Sequence, residues 1–420
     1  MRLPAKPRSA IVIGGGIVGQ SIAFRLQCSG IATTIVDRAA PPPASRGNAG
    51  HIAVEQVEPL ASWATIRSFP RRLFWRGGAL GLPLRDIGVW LSFSLRMLRS
   101  SGPRRFAAGR AALTALLDRA MPAWRALLDQ AGARALLRED GHFVVWESAK
   151  TAREGAARWK AAPTGTAAVR DASEEDVTRL RALGTAPIAG AIRFTGSGQI
   201  TDLGDLSDQL GTAFKVEGGV VRIDTVKRIS ATAEGASVTL SDGSRLDADL
   251  VVVAAGARSD ALLSPLGYRV PLIAERGYHI QSADTDWPAD MPPVVYEDRA
   301  MIVTRFRSGL RAASFVEFGR PDSPPDPRKW ARLRSHVAAL GLSFRMPGRE
   351  WMGGRPTLPD YLPAIGRSRA HPSLIYAFGH QHLGLTLAAV TAEAVVALAT
   401  DAAPPVDLAP FDIARFGGLA

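Results

Sequence analysis

Cysteine is almost missing from this chain of 420 residues: Cys28 stands alone. A single thiol excludes an intramolecular disulfide and any zinc site built on cysteines. Cys28 falls inside an amphipathic stretch, where it fills core, and a reducing compartment is compatible with it. Acid is scarce relative to base. Lys and Arg number 51 against 39 Asp and Glu, a formal charge of +12, with arginine dominant. That balance suits anionic partners such as a membrane surface, nucleic acid or an acidic substrate. A genome-wide bias towards arginine gives the same excess with no partner at all. Long apolar runs are lacking too. None extends for 18 uninterrupted residues, so no transmembrane helix is expected. The basic start, Met1 to Ala10, leads into an apolar run that glycines interrupt at once, unlike a secretory signal. The expected location is cytoplasmic, with peripheral attachment to the inner face of a membrane as the variant. No internal repeat and no long disordered segment is seen.

Glycine, by contrast, is plentiful, and one group of glycines is placed with purpose. Ile11-Val12-Ile13 reads as a strand running into Gly14-x-Gly16-x-x-Gly19. A helix follows, with apolar positions Ile17, Ile22, Ala23 and Leu26. Gly30 stops it, and a second strand, Thr33 to Val36, ends on Asp37. Gly14 permits the tight turn, Gly16 the approach of a pyrophosphate, and Gly19 close packing of helix on strand. The helix N-terminus offers free N–H groups and the positive end of its dipole to phosphate. Asp37 lies 18 residues beyond Gly19 and can accept from a ribose hydroxyl. It would repel a 2′-phosphate, so FAD or NAD is favoured over NADP.

Downstream, Pro41-Pro42-Pro43 breaks the chain. The loop from Ser45 through Arg46, Gly47, Asn48, Ala49 and Gly50 to His51 and Ile52 is small and polar. It can let a flat ring approach the backbone or be a plain surface turn. Residues Pro59 to Ser101 interleave aromatics and leucines with Arg67, Arg71, Arg72, Arg76, Arg85, Arg96 and Arg99, and the only acid is Asp86. Such a stretch lies in a lipid interface, or forms short helices over a second domain with solvated arginines. Helices are predicted over 104–130, 149–160, 171–183, 202–214 and 385–400, the last apolar nearly all round and hence buried. Strands are predicted at 141–146, 220–223, 226–231, 236–240, near Leu246, and over Asp249 to Gly256. The apolar run Leu250 to Val253 belongs in the middle of a parallel sheet. Its Ala254-Ala255-Gly256 end then lies beside the glycine fingerprint. Further strands at 278–280, 294–296, 300–305 and 311–316 form a second sheet.

With these motifs in view, the chain resembles the FAD-dependent D-amino acid oxidase and dehydrogenase family over nearly its whole length. The likeness rests on Gly14 to Asp37, Arg46 to Gly50, Val251 to Gly256, Gly354-Arg355-Pro356, and Gly379-His380 through Thr386. The 60–99 stretch looks most like the bacterial D-amino acid dehydrogenase branch, to which D-hydroxyproline dehydrogenases are similar. The resemblance implies an α/β fold. A Rossmann-like FAD-binding domain (1–60, 196–268, 350–420) would be built from separated pieces, beside a mixed-sheet substrate-binding domain (61–195, 269–349). It implies FAD as cofactor and an amino acid substrate. The electron acceptor would be a quinone or an electron-transfer partner, with peripheral membrane contact through 60–99. No nucleic-acid partner and no metal site are assigned.

Carried over residue by residue, the resemblance gives cofactor contacts to Gly14, Gly16, Ile17, Val18, Gly19, Asp37, Arg38, Arg46, Gly47, Ala255, Gly256 and Gly354. Asn48, Ala49 and Gly50 would line the isoalloxazine. Val226 would touch the adenine, and Gly379, Gly384, Leu385 and Thr386 would wrap the pyrimidine end. Arg355 would clamp the substrate carboxylate, for which a guanidinium's paired donors are suited. Tyr278 would add a second hydrogen bond to that carboxylate or be a core tyrosine. His51 and His380 would face flavin or substrate amine, or be satisfied structural histidines. Rival readings are a flavin-bearing subunit of an electron-transfer assembly, an oxygen-using glycine or sarcosine-type oxidase, and an NAD-linked dehydrogenase.

Overall fold

Strand β1 (Ser9–Ile13), helix α1 (Ile17–Cys28) and strand β2 (Ala32–Asp37) form the opening unit, with β1 and β2 parallel. The computed structural model describes residues 7–38 and 40–418. β1 pairs on both edges, with β2 and with Leu250–Val253, and is apolar on both faces because both are covered: Ala10 and Val12 join the core with α1, Ile11 and Ile13 the core with Val226, Val238 and Leu240. The full sheet runs, in spatial order, Val220–Ile223, β2, β1, Leu250–Val253, Leu374–Phe378 and Ala364–Arg367. All neighbours are parallel except the last pair. α1 packs between this sheet and the helix Gly384–Thr400, which in turn packs on the long helix Pro103–Gln130. Leu387, Val390 and Val395 are fully buried there, and each such side chain contributes about 1.5–3 kcal/mol relative to exposure. Gln381–Thr400 is long and apolar enough to cross a membrane by length and composition, and the fold buries most of it.

The second sheet has nine strands. Its centre is the pairing of Ile273–Ser282 with Gly309–Gly319. Met301–Phe306, Val294–Tyr296, His142–Trp146, Gly190–Thr195 and Ala168–Asp171 continue it on one side. On the other, Arg349–Thr357 forms the edge. That edge corrects the expected division of the chain, which gave 350–420 entirely to the nucleotide part. An edge strand tolerates Gly353, Gly354 and Pro356 because one side of its ladder is unpaired. The chain therefore crosses between the two sheets just after Thr357. Residues 60–100 form helices Trp63–Arg72 and Ile87–Ser100 with short turns between them. Leu80–Gly81 adds to the large sheet beside Val316–Glu317.

Candidate active site

The carboxyl ends of β1, β2, Leu250–Val253 and Leu374–Phe378 open into a cleft of about 900 Å³, where open parallel sheets bind ligands. Gly14 has φ +113°, and a Cβ there would lie 2.5 Å from the Ala254 carbonyl oxygen. Gly19 carries the Gly14 carbonyl against its Cα, so any side chain would force helix from strand. The start of α1 has no acidic residue and no capping side chain from its own N-cap, Gly16. Ser45 from the following loop accepts the Ile17 N–H at 3.2 Å, and Gly16 and Val18 face the cleft. Such an N-terminus suits an anion. Asp37 stands at the same end. Burial raises its carboxyl above the ordinary range, opposed by N–H donors from Gly15 and Arg38. Arg38, Val226, Ala255 and Gly256 complete this end. An extended pyrophosphate-linked group fits it: glycine where a side chain would collide, a helix start without acid facing the cleft, and a carboxylate.

The cleft continues to the edge strand of the large sheet. Arg355 pairs there with Glu275 across the ladder. Its Nη1 lies 3.5 Å from Glu275 Oε1 and 3.3 Å from the Phe315 carbonyl oxygen. Phe315 has φ +67°, at an irregularity where Gly309–Gly319 slips in register against Ile273–Ser282. The guanidinium lies against Gly277, where a Cβ would overlap Nη2 and stand 2.6 Å from Cζ. Glu275 is buried, and its second oxygen accepts from Thr357 Oγ1 at 3.1 Å. Burial pushes its carboxyl up, while Arg355, Thr357 and Tyr361 pull it down. Arg355 itself keeps about a third of its side chain exposed, towards the cleft. A cation held from behind and open in front is ready for a ligand carboxylate.

Residues 9–398 match the family model described as DAO, FAD dependent oxidoreductase. The chain belongs to this family. It is 28% identical to a D-amino-acid oxidase of Bradyrhizobium diazoefficiens, over 97% of this chain and 99% of the relative. It is also 28% identical to a D-amino acid dehydrogenase of Cereibacter sphaeroides, over 97% of this chain and 95% of the relative. Its fold is that of a glycine oxidase from Geobacillus kaustophilus, with TM-score 0.72, 19% identity, and coverage of 98% and 99% of the two chains. The family is FAD dependent, and the cleft has the shape and donors for that cofactor.

Not every residue expected at the DAO-family site reaches the cleft. Gly14, Gly16, Ile17, Val18, Asp37, Arg38, Asn48, Val226, Ala255, Gly256, Gly354, Arg355, His380, Gly384 and Leu385 line it. Tyr278 does not. It is 1% exposed, donates to Glu317 Oε1 at 2.9 Å and accepts from the Asp326 N–H at 3.1 Å. The strand turns it away from the Arg355 side into a buried set with Arg276 and Lys329, so the core alternative holds. His51 is corrected likewise. Its Nε2 lies 3.0 Å from Glu55 Oε1, and its ring meets that of His142 at 4.3 Å, all three buried. That group of ligand-type atoms, unforeseen in the sequence, forms because Gly198–Ile200 brings 137–138 and 51–52 together. His380 touches the cleft wall, but its Nε2 is tied to Thr391 Oγ1 at 3.0 Å, and burial holds the ring neutral with a pKa of about 3.

Of the remaining expected contacts, Arg46 is exposed near Asp208, and Gly47 lies beneath the Trp351 ring. Ala49 is half-buried. Gly50 (φ +76°) and Gly379 (φ +79°) serve backbone turns. Thr386 accepts the Ala53 N–H at 3.0 Å. His382 was missed by sequence reasoning, although it lines the cleft. It is hydrogen-bonded through Nε2 to Gln56 Oε1, and burial and Arg355 lower its pKa to about 3. No signal in the sequence pointed to it, since Gln381–Leu383 is a short helical turn whose partner Gln56 is distant in the chain.

Proposed function

We propose that the chain oxidises the amine of a D-amino acid, or of a cyclic D-imino acid of the proline type, to an imine that water converts to a 2-oxo acid or that stays cyclic. The observation that carries this reading is the guanidinium of Arg355, backed by Glu275 and open to the cleft. The D configuration is supported by the names of the relatives above. FAD, when bound, supplies the hydride acceptor; the α-amine lone pair drives departure of the hydride, so no strong protein base is needed. Arg355 fixes the carboxylate with two parallel donors and so sets where the α-carbon stands. His382 donates through Nε2 to Gln56, which leaves Nδ1 as an acceptor; the ring is neutral at pH 7 and adds no charge beside an incoming amine. Residues Gly14 to Val18, Asp37 and Val226 would hold the dinucleotide.

A quinone or an electron-transfer partner would take the electrons, a choice supported by the exposed apolar, arginine-rich 60–99 region. Replacing Arg355 by Ala in the flavin-loaded protein is expected to cost about 2–5 kcal/mol in kcat/KM on its best substrate, from a panel of D-amino acids, D-proline derivatives, sarcosine and glycine. Unchanged kinetics would remove Arg355 from the site. Peroxide formed in step with product in air would replace the quinone reading by the oxidase one.

A further inference from the structure

We propose that His51, Glu55 and His142 form a site for one Zn²⁺ ion that ties the two halves of the fold together. The three side chains come from different parts of the chain. His51 opens the short strand His51–Ile52, which pairs with Gly198–Ile200, and Glu55 lies just beyond it. His142 is the first residue of His142–Trp146, in the nine-stranded sheet. All three are buried, and one ligand-type atom from each lies within 4.8 Å of those of the other two. In a tetrahedral zinc site, bonds of about 2.0–2.2 Å put neighbouring ligand atoms about 3.3 Å apart. His51 Nε2 and Glu55 Oε1, at 3.0 Å, already stand close to that spacing. Only the His142 ring has to close in, from at most 4.8 Å.

The hydrogen bonds around the three groups leave the donors a cation needs. His51 Nδ1 lies 3.3 Å from the Gly198 carbonyl oxygen, which can only accept, so Nδ1 carries a hydrogen and Nε2 is turned to the carboxylate. His142 Nδ1 lies 3.1 Å from Ser197 Oγ, which leaves Nε2 of that ring to bind. Imidazoles that hold a metal are ordinarily steered in this way through the far nitrogen. Glu55 Oε2 is buried and has no hydrogen-bond partner among the described residues. A buried carboxylate oxygen left without a partner is costly, and an ion held by both Glu55 oxygens removes that cost. The two rings and the two oxygens then supply four donors. Nitrogen donors suit zinc, whereas magnesium and calcium take oxygen shells. None of the three residues lines the cleft, so the ion touches no substrate and its role is structural. It links the large sheet to the segment that follows Asn48, a cleft residue, and Ala53 in that segment is held by Thr386 at the head of helix Gly384–Thr400.

The test uses the full flavin-loaded chain without a histidine tag, stripped by a chelator and titrated with Zn²⁺ against a competing indicator dye. One zinc per chain is expected, with a melting temperature that rises with zinc concentration. Co²⁺ in its place should give the bands of a four-coordinate ion at wavelengths longer than the flavin's. Glu55→Gln and His142→Gln each abolish zinc binding while flavin absorbance is kept. Ser197→Ala, which removes only the support of His142, weakens zinc about 10–100-fold. X-ray absorption of the zinc-loaded wild type needs no variant and decides the case even where a substitution prevents folding. It should show imidazole nitrogens and carboxylate oxygen at about 2.0–2.2 Å, and no sulfur. No stoichiometric zinc in the wild type, equal affinity in the Glu55 and His142 variants, or a shell of six oxygens would overturn the proposal.

Discussion

Gly277→Ala isolates the role of the Arg355 guanidinium from the stability of the fold. Gly277 lies within the strand Ile273–Ser282 and its φ is outside the left-handed region, so the backbone accepts alanine. The new Cβ would overlap Nη2 of Arg355 and come within 2.6 Å of Cζ. Those atoms are the end of a flexible side chain, so the strand stays and the guanidinium moves by about an ångström or more. A misplacement of that size costs about 100-fold in a reaction that depends on orientation, close to 2.7 kcal/mol. The entropic gain of alanine over glycine in the unfolded chain, about 0.4–1 kcal/mol, offsets the local strain, so little change in melting temperature is expected. The assay is kcat/KM for the best amino acid substrate, with flavin content and melting temperature alongside. Because the alanine acts through Arg355, Gly277→Ala should add almost nothing in an Arg355→Ala background. Wild-type kinetics in Gly277→Ala, or full additivity of the two substitutions, would refute the placement of the guanidinium at the substrate.

Two further outcomes follow from buried groups and close backbone contacts. Burial lowers the His380 pKa from 6.5 to about 3. The unfolded chain then binds the proton first as pH falls. The stabilisation from a neutral His380 is fully present above pH 6.5 and is lost towards pH 3, with about 2 kcal/mol gone by pH 5. Urea midpoints at pH 7 and pH 5 should differ, and His380→Gln should flatten that difference; equal pH dependence in the two proteins would show that the ring is not buried neutral. Gly19→Ala presses a Cβ onto the Gly14 carbonyl, with backbone on both sides and nothing flexible to yield. A cost of about 1–3 kcal/mol and loss of bound flavin are expected, and full flavin absorbance at the wild-type melting temperature would contradict that packing.

The opening βαβ unit was legible because its determinants are local. The glycine spacing of the turn, the apolar positions of α1 and the unbroken apolar run of β1 are all read from contiguous residues. The strand Leu250–Val253 and the buried helix Gly384–Thr400 were legible for a related reason: an apolar run without polar alternation has nowhere to go but the interior. The DAO-family motifs added Arg355, whose position along the chain is fixed by a contiguous signature. Which way a side chain points was another matter. Tyr278, His51 and His380 each had a partner that no spacing announced: Glu317, Glu55 and Thr391. Residues from 350 onward were given to the nucleotide part because only the distant strand Ile273–Ser282 shows that Arg349–Thr357 edges the large sheet. Glu275 sits 80 residues from Arg355, and only the antiparallel register places one behind the other. By itself the sequence determined the nucleotide unit, its parallel sheet and the buried helix, since contiguous residues dictate them. Tertiary structure alone decided the orientation of the guanidinium, the burial of the two histidines and the tyrosine, and the apolar stripe of Ile87–Ser100 left facing solvent, because each depends on what distant segments bring, or fail to bring, against it.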